Sequence, residues 1–182
     1  MKNRREFLQL GSVGLLSPLM ASAYKPNKTQ AENKSGIVRQ PEEGETFFVR
    51  ENTPITIQIS KRMDSVEDIS LCTEEIQPGS KIPVHKHLNE DEFFIFIKGT
   101  GTIEIDGQEF PVKPGTSGLV PRGVWHSINN NSSELLIFTF GYSPAGFEDF
   151  FRQIGTPKGV SFKAKTAREI SLIAVKYGMV YK

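Results

Sequence analysis

From residue 45 to residue 140 the chain reads as a succession of short β-type runs broken by turn residues, and this limits its folding most. The runs fall at residues 46–50, 55–60, 69–76, 93–97, 102–105, 109–112, 117–120, 125–128 and 135–140. Between them stand Thr-Pro54, Pro78-Gly79, Gly99-Thr-Gly101, Asp106-Gly107, Pro114-Gly115 and Arg-Gly123. Asp106-Gly107, set between Ile105 and Gln108, is a two-residue hairpin signal, because both central positions of such a turn must accept positive φ. Regular short strands joined this way indicate an all-β sandwich or barrel, not a βαβ fold.

Two helical patterns close the chain. Phe147, Phe150, Phe151 and Ile154 follow i, i+3, i+4, i+7 spacing, with Glu148, Asp149 and Arg152 on the opposite side. The second pattern runs from Thr166 to about Tyr177 and places Ile170, Ile173, Ala174 and Tyr177 on one face, with Gly178 as terminator. The expectation is a β-domain with two short C-terminal helices.

All three histidines lie in two spaced motifs. The first runs from Gly79 through His85, His87 and Glu92 to Gly99; the second runs from Gly115 through Pro121, Gly123 and His126 to Asn130. His85 and His87 are two apart, so on an extended strand both project to the same face. Three imidazoles and one carboxylate suit a single divalent transition metal: iron, manganese, nickel, copper, cobalt or zinc. The absence of a thiolate argues against a structural zinc knuckle. Four protein ligands to an octahedral ion leave two positions for substrate, water or dioxygen. Gly79 and Gly115 permit tight turns before each ligand strand, and Pro121 and Gly123 bend the chain toward His126.

With these intervals the chain resembles the cupin superfamily. The first motif matches its Gly-five-His-x-His-four-Glu-six-Gly pattern, and the second its Gly-five-Pro-x-Gly-two-His-three-Asn pattern, at every fixed position. The resemblance is strongest over residues 69–140 and implies a conical jelly-roll β-barrel (a double-stranded β-helix) with His85, His87, Glu92 and His126 on the metal. The tail, Ser-Pro-Ala-Gly-Phe147-Glu-Asp-Phe-Phe and Ile-Ala-Val-Lys-Tyr-Gly178, is similar to single-domain cupins grouped with quercetin dioxygenases. The cupin resemblance also implies a homodimer formed through the N-terminal strands.

By strand parity with Glu92, the side chains of Phe94 and Phe96 should enter the barrel, joined by Ile103, Phe138 and Phe140. This gives an apolar pocket for a planar or aromatic molecule. The expected activity is that of a dioxygenase acting on a flavonol-, catechol- or diketone-like substrate, with Glu92 also taking the substrate proton. A non-catalytic ligand-binding cupin and a cupin isomerase or decarboxylase are the alternatives, because one fold hosts many chemistries. Trp125 should face away from His126, Arg122 should face solvent, and the Phe147 helix either caps the pocket or packs outside it.

The N-terminus carries Arg4-Arg5 ahead of Phe7-Leu8, a weakly apolar stretch from Leu10 to Met20, and Ala21-Ser22-Ala23. It reads as a twin-arginine-type export signal over residues 1–23, which implies a periplasmic protein. Gly11, Gly14 and Pro18 interrupt the stretch, so no stable membrane anchor is expected. Residues 24–43 read as a flexible tether and 44–182 as one domain. A formal net charge of +1 with interspersed signs provides no field for nucleic acid. Cys72, the single cysteine, lies in an apolar-flanked run and reads as a small buried hydrophobe.

Overall fold

The computed structural model describes residues 36–182; the signal-type segment and residues 24–35 of the tether lie outside the described residues. In chain order the strands are β1 (Glu45–Arg50), β2 (Thr53–Ile59), β3 (Leu71–Ile76), β4 (Lys81–His87), β5 (Asp91–Lys98) and β6 (Gly101–Ile105). They continue as β7 (Gln108–Val112), β8 (Ser117–Val120), β9 (His126–Asn129), β10 (Leu136–Ser143), β11 (Thr156–Pro157) and β12 (Met179–Tyr181). One sheet has the order β11-β1-β2-β3-β10-β5-β8 and the other β12-β4-β9-β6-β7, with antiparallel pairing. Two facing antiparallel sheets make the expected cupin jelly-roll.

The β6–β7 hairpin turns on Asp106 at φ 51° and Gly107 at φ 81°, the left-handed pair that a two-residue turn requires. Alternation decides which face each strand buries. Along β3, Cys72, Glu74 and Ile76 are buried; along β5, Glu92, Phe94 and Phe96 are. Those inward residues meet Phe138 and Phe140 of β10, and the rings of Phe96 and Phe138 stack with centroids 5.5 Å apart. Pro111 sits on β7, an edge strand, where a missing backbone donor is tolerated.

The two motifs are tied together by their backbones. Gly79 N–H donates to Asn130 O at 2.8 Å, and Asn130 N–H to Ser80 O at 2.9 Å. At the other end Gly123, at φ 83°, donates to His87 O at 2.6 Å. The Asn130 side chain is fully buried and donates to the carbonyls of Ile76 and Glu134, so it fastens the loop that closes the second motif.

Helix α1 (Lys61–Asp64) was not anticipated; the Ser60 hydroxyl caps it by accepting from Met63 N–H at 3.1 Å. Arg39 donates to both carboxylate oxygens of Asp64, at 2.8 and 3.1 Å, and Pro41–Glu43 form a single 3₁₀ turn. The last residues of the stretch read as a tether are thus attached to the domain, whose compact unit is Val38–Lys182. The two expected helices are α2 (Asp149–Ile154) and α3 (Ala167–Lys176), the latter opened by a Thr166–Glu169 capping box. Ala174 is buried on the anticipated face of α3, whereas Leu172 and Val175 are exposed. Among the described residues no helix is long and apolar enough to cross a membrane.

Candidate metal centre

Strand β4 carries His85 and His87, β5 opens with Glu92, and β9 begins at His126. His85 lies opposite His126 in the β4–β9 ladder, and all four side chains are buried. One ligand atom from each lies within 4.8 Å of the other three, so the group can hold one ion. The orientation of each ring supports this. His85 Nδ1–H donates to Pro83 O at 2.8 Å and His126 Nδ1–H to Val124 O at 3.1 Å. Each of these rings therefore turns its Nε2 toward the cluster, the arrangement a metal-binding imidazole uses. His87 is buried with neither ring nitrogen hydrogen-bonded; its Nε2 lies 3.3 Å from Glu92 Oε2, out of line for a hydrogen bond. An orphaned buried imidazole beside a buried carboxylate fits a cation site.

Protonation follows the same logic. Burial, reinforced by His126 and His87, lowers the His85 imidazolium to about 3, so this ring is neutral and ready to ligate. Burial alone would raise Glu92, but the hydrogen bond from His126 and the closeness of the His126 and His87 rings hold it below the usual carboxylate range. Burial likewise opposes the charged form of His126, yet Glu92 at 2.9 Å raises it. The His126 nitrogen that faces Glu92 is the one a metal ion would take.

A cavity of about 410 Å³ lies between the sheets beside this cluster. His85, Glu92 and His126 reach its wall, as do Phe138 and Phe140. His87 stands behind, wedged between Tyr142 and Phe147 with ring centroids 5.0 and 4.2 Å away. Three of the expected pocket residues are elsewhere. Phe94, Phe96 and Ile103 face inward as parity requires but fill the closed part of the core; the Phe94 ring packs over Gly118, leaving no room there for a β-carbon. Inward parity alone cannot separate the packed half of a tapering barrel from its open half.

In their place Phe147, Phe150 and Phe151 of the C-terminal aromatic segment line the cavity. The C-terminal strand adds Met179 and Tyr181, and Arg50 and Glu74 of the other sheet line it too. Glu74 was detectable, because Cys72 and Ile76 fix the parity of the run and point one of its two glutamates inward. Trp125 faces away from the site with Lys86 Nζ 4.5 Å above its ring. Arg122 is exposed and pairs with Asp91. Cys72 is fully buried and its thiol is pushed well up by burial, which leaves it inert.

Residues 72–142 match the family model described as a cupin domain. Over 81 residues the chain is 32% identical to an uncharacterized protein of Methanocaldococcus jannaschii, covering 44% of this chain and 65% of that one. Over 64 residues it is 33% identical to an oxalate-binding protein of Thermotoga maritima, covering 35% and 53%. The chain therefore spans less than two thirds of the length of either relative. KdgF from Halomonas sp. shares the fold, with a TM-score of 0.55 at 16% identity, over 63% of this chain and 99% of that one. Residues 72–142 thus match a cupin domain, and the jelly-roll around them is a fold this structural neighbour shares.

Proposed function

We propose that this protein is a metal-dependent dioxygenase of the quercetin-dioxygenase-like type, acting on a small planar or aromatic molecule with dioxygen as co-substrate. The observation that carries this reading is the joining of the His85–His87–Glu92–His126 cluster to an aromatic-walled cavity of about 410 Å³. The rings of Phe138 and Phe140 lie 27° from parallel with centroids 5.1 Å apart, a flat wall for a flat guest.

A bound divalent ion supplies Lewis acidity toward a substrate oxygen and electron transfer between substrate and dioxygen. The chain supplies the rest. Phe138 and Phe140 orient the substrate plane, and Phe147 with Tyr142 keeps water from the far side of His87. Glu92, the carboxylate of the four-residue cluster, is the base for the substrate hydroxyl proton. The Arg4-Arg5 segment supports export to the periplasm, which cell fractionation of the tagged full chain tests directly.

Metal-loaded protein should consume oxygen with at least one member of a flavonol, catechol and diketone panel. No uptake across that panel would overturn the proposal. Similarity to an oxalate-binding protein supports a second reading, ligand binding without turnover. The apolar wall is a poor match for so small and charged a dianion, and calorimetry combined with product analysis separates binding from catalysis.

A further inference from the structure

The cavity has two polar poles. One is the histidine–glutamate cluster; the other is the pair Arg50–Glu74, which also lines it. Glu74 faces Phe138 across the β3–β10 ladder, whereas Glu92 faces Tyr142 across the β10–β5 ladder. Phe138 and Tyr142 are four residues apart on β10, so the two poles meet the cavity at different levels of that strand. Apolar and aromatic side chains fill the interval, with Phe140 between them.

The pair has capacity to spare. Arg50 Nη2 donates to Glu74 Oε1 at 3.0 Å, but Arg50 Nε is buried with no hydrogen-bond partner. Among the described residues no other group bonds to the Glu74 carboxylate. Its side chain is 5% exposed, against 39% for Arg50, so the guanidinium spans the rim while the carboxylate sits inside. A buried ion pair in an apolar wall costs desolvation that one hydrogen bond does not recover. Its chemistry selects its guest. A hydrocarbon would leave the spare donor of Arg50 and the second oxygen of Glu74 unmatched; a hydroxyl accepts from the guanidinium and donates to the carboxylate.

We propose that Arg50 and Glu74 are specificity-determining residues that bind a hydroxyl group on the end of the substrate remote from the metal, selecting two- to three-ring hydroxylated aromatic molecules over their deoxy counterparts. This rests on the reading of the cavity as the site for a planar, metal-chelating substrate. The test is anaerobic calorimetry on nickel-loaded full-length protein with 3-hydroxyflavone and 3,4′-dihydroxyflavone, which share the chelating end and differ in the remote hydroxyl. The wild type should bind the dihydroxy compound roughly tenfold more tightly, the increment of one good hydrogen bond to a charged group. Arg50→Met and Glu74→Leu should each erase that preference. The double variant, which removes both charges and keeps the volume, retains the fold and should behave the same way. Equal binding of the two flavones by the wild type, or a preference surviving in the double variant, overturns the assignment of Arg50 and Glu74 alone. Failure of the wild type to bind either flavone overturns the planar-substrate reading itself, and this inference with it.

Discussion

Tyr181 stands directly across the antiparallel β12–β4 ladder from His85, and its ring lies 6.2 Å from the imidazole. Met179 is likewise opposite His87 and is 3% exposed. The end of the described chain is thus part of the scaffold that holds two metal ligands. Ending the chain at Gly178 should lower stability by about 2–5 kcal/mol, the range for emptying one large core position, and should weaken metal binding as well. Urea unfolding and a metal titration of the truncated protein check this; unchanged values for both would show that β12 is dispensable.

Phe147 performs the same service from the other side. Its ring is 1% exposed and packs edge-on to His87 and obliquely on Tyr142, with centroids 4.2 and 4.6 Å away. Phe147→Ala should cost about 3–5 kcal/mol in chemical denaturation and keep metal stoichiometry, because β4 fixes the His87 position. A loss below about 1 kcal/mol would mean the aromatic segment is not packed against the cavity.

Much of this was legible in the sequence, for a physical reason. A period of two with glycine and proline punctuation specifies strands and their inward faces, and fixed intervals on such strands specify which side chains can converge. His85, His87, Glu92 and His126 follow from that geometry, as does the exclusion of Trp125 from the site. What the sequence concealed was depth along the barrel. Phe94 and Phe138 share inward parity, yet only Phe138 reaches the cavity, because Gly118 gives the Phe94 ring a slot in the closed end. The three-residue strand Met179–Tyr181 was also hidden, being too short to show a period after Gly178. Arg50 looked like an ordinary strand-end cation, and only Glu74 across the fold shows what it serves.

Glu74 predicts an unusual pH dependence. Burial raises its carboxyl to about 7, and Arg50 beside it pulls it only part of the way back. The folded protein therefore keeps this proton at pH values where the unfolded chain has released it. The associated stability is fully present below about 4.5 and is lost as pH rises through about 7. In metal-free protein the urea midpoint should fall less steeply over that window in Glu74→Gln than in the wild type. Parallel pH profiles for the two proteins would contradict the assignment. Other titrating groups, among them His85 and Glu90, are common to both proteins and drop out of the difference.

The central claim is that one divalent ion is held inside the barrel by His85, His87, Glu92 and His126 together. Elemental analysis of purified wild-type protein beside His87→Ala measures this most directly. Wild-type protein should carry one equivalent of a transition metal, and His87→Ala should bind it more weakly by two orders of magnitude or more, since even partners of ligands contribute roughly 10–100-fold. Wild-type protein that takes up no metal on reconstitution, or a His87→Ala variant that keeps a full equivalent, would contradict the account.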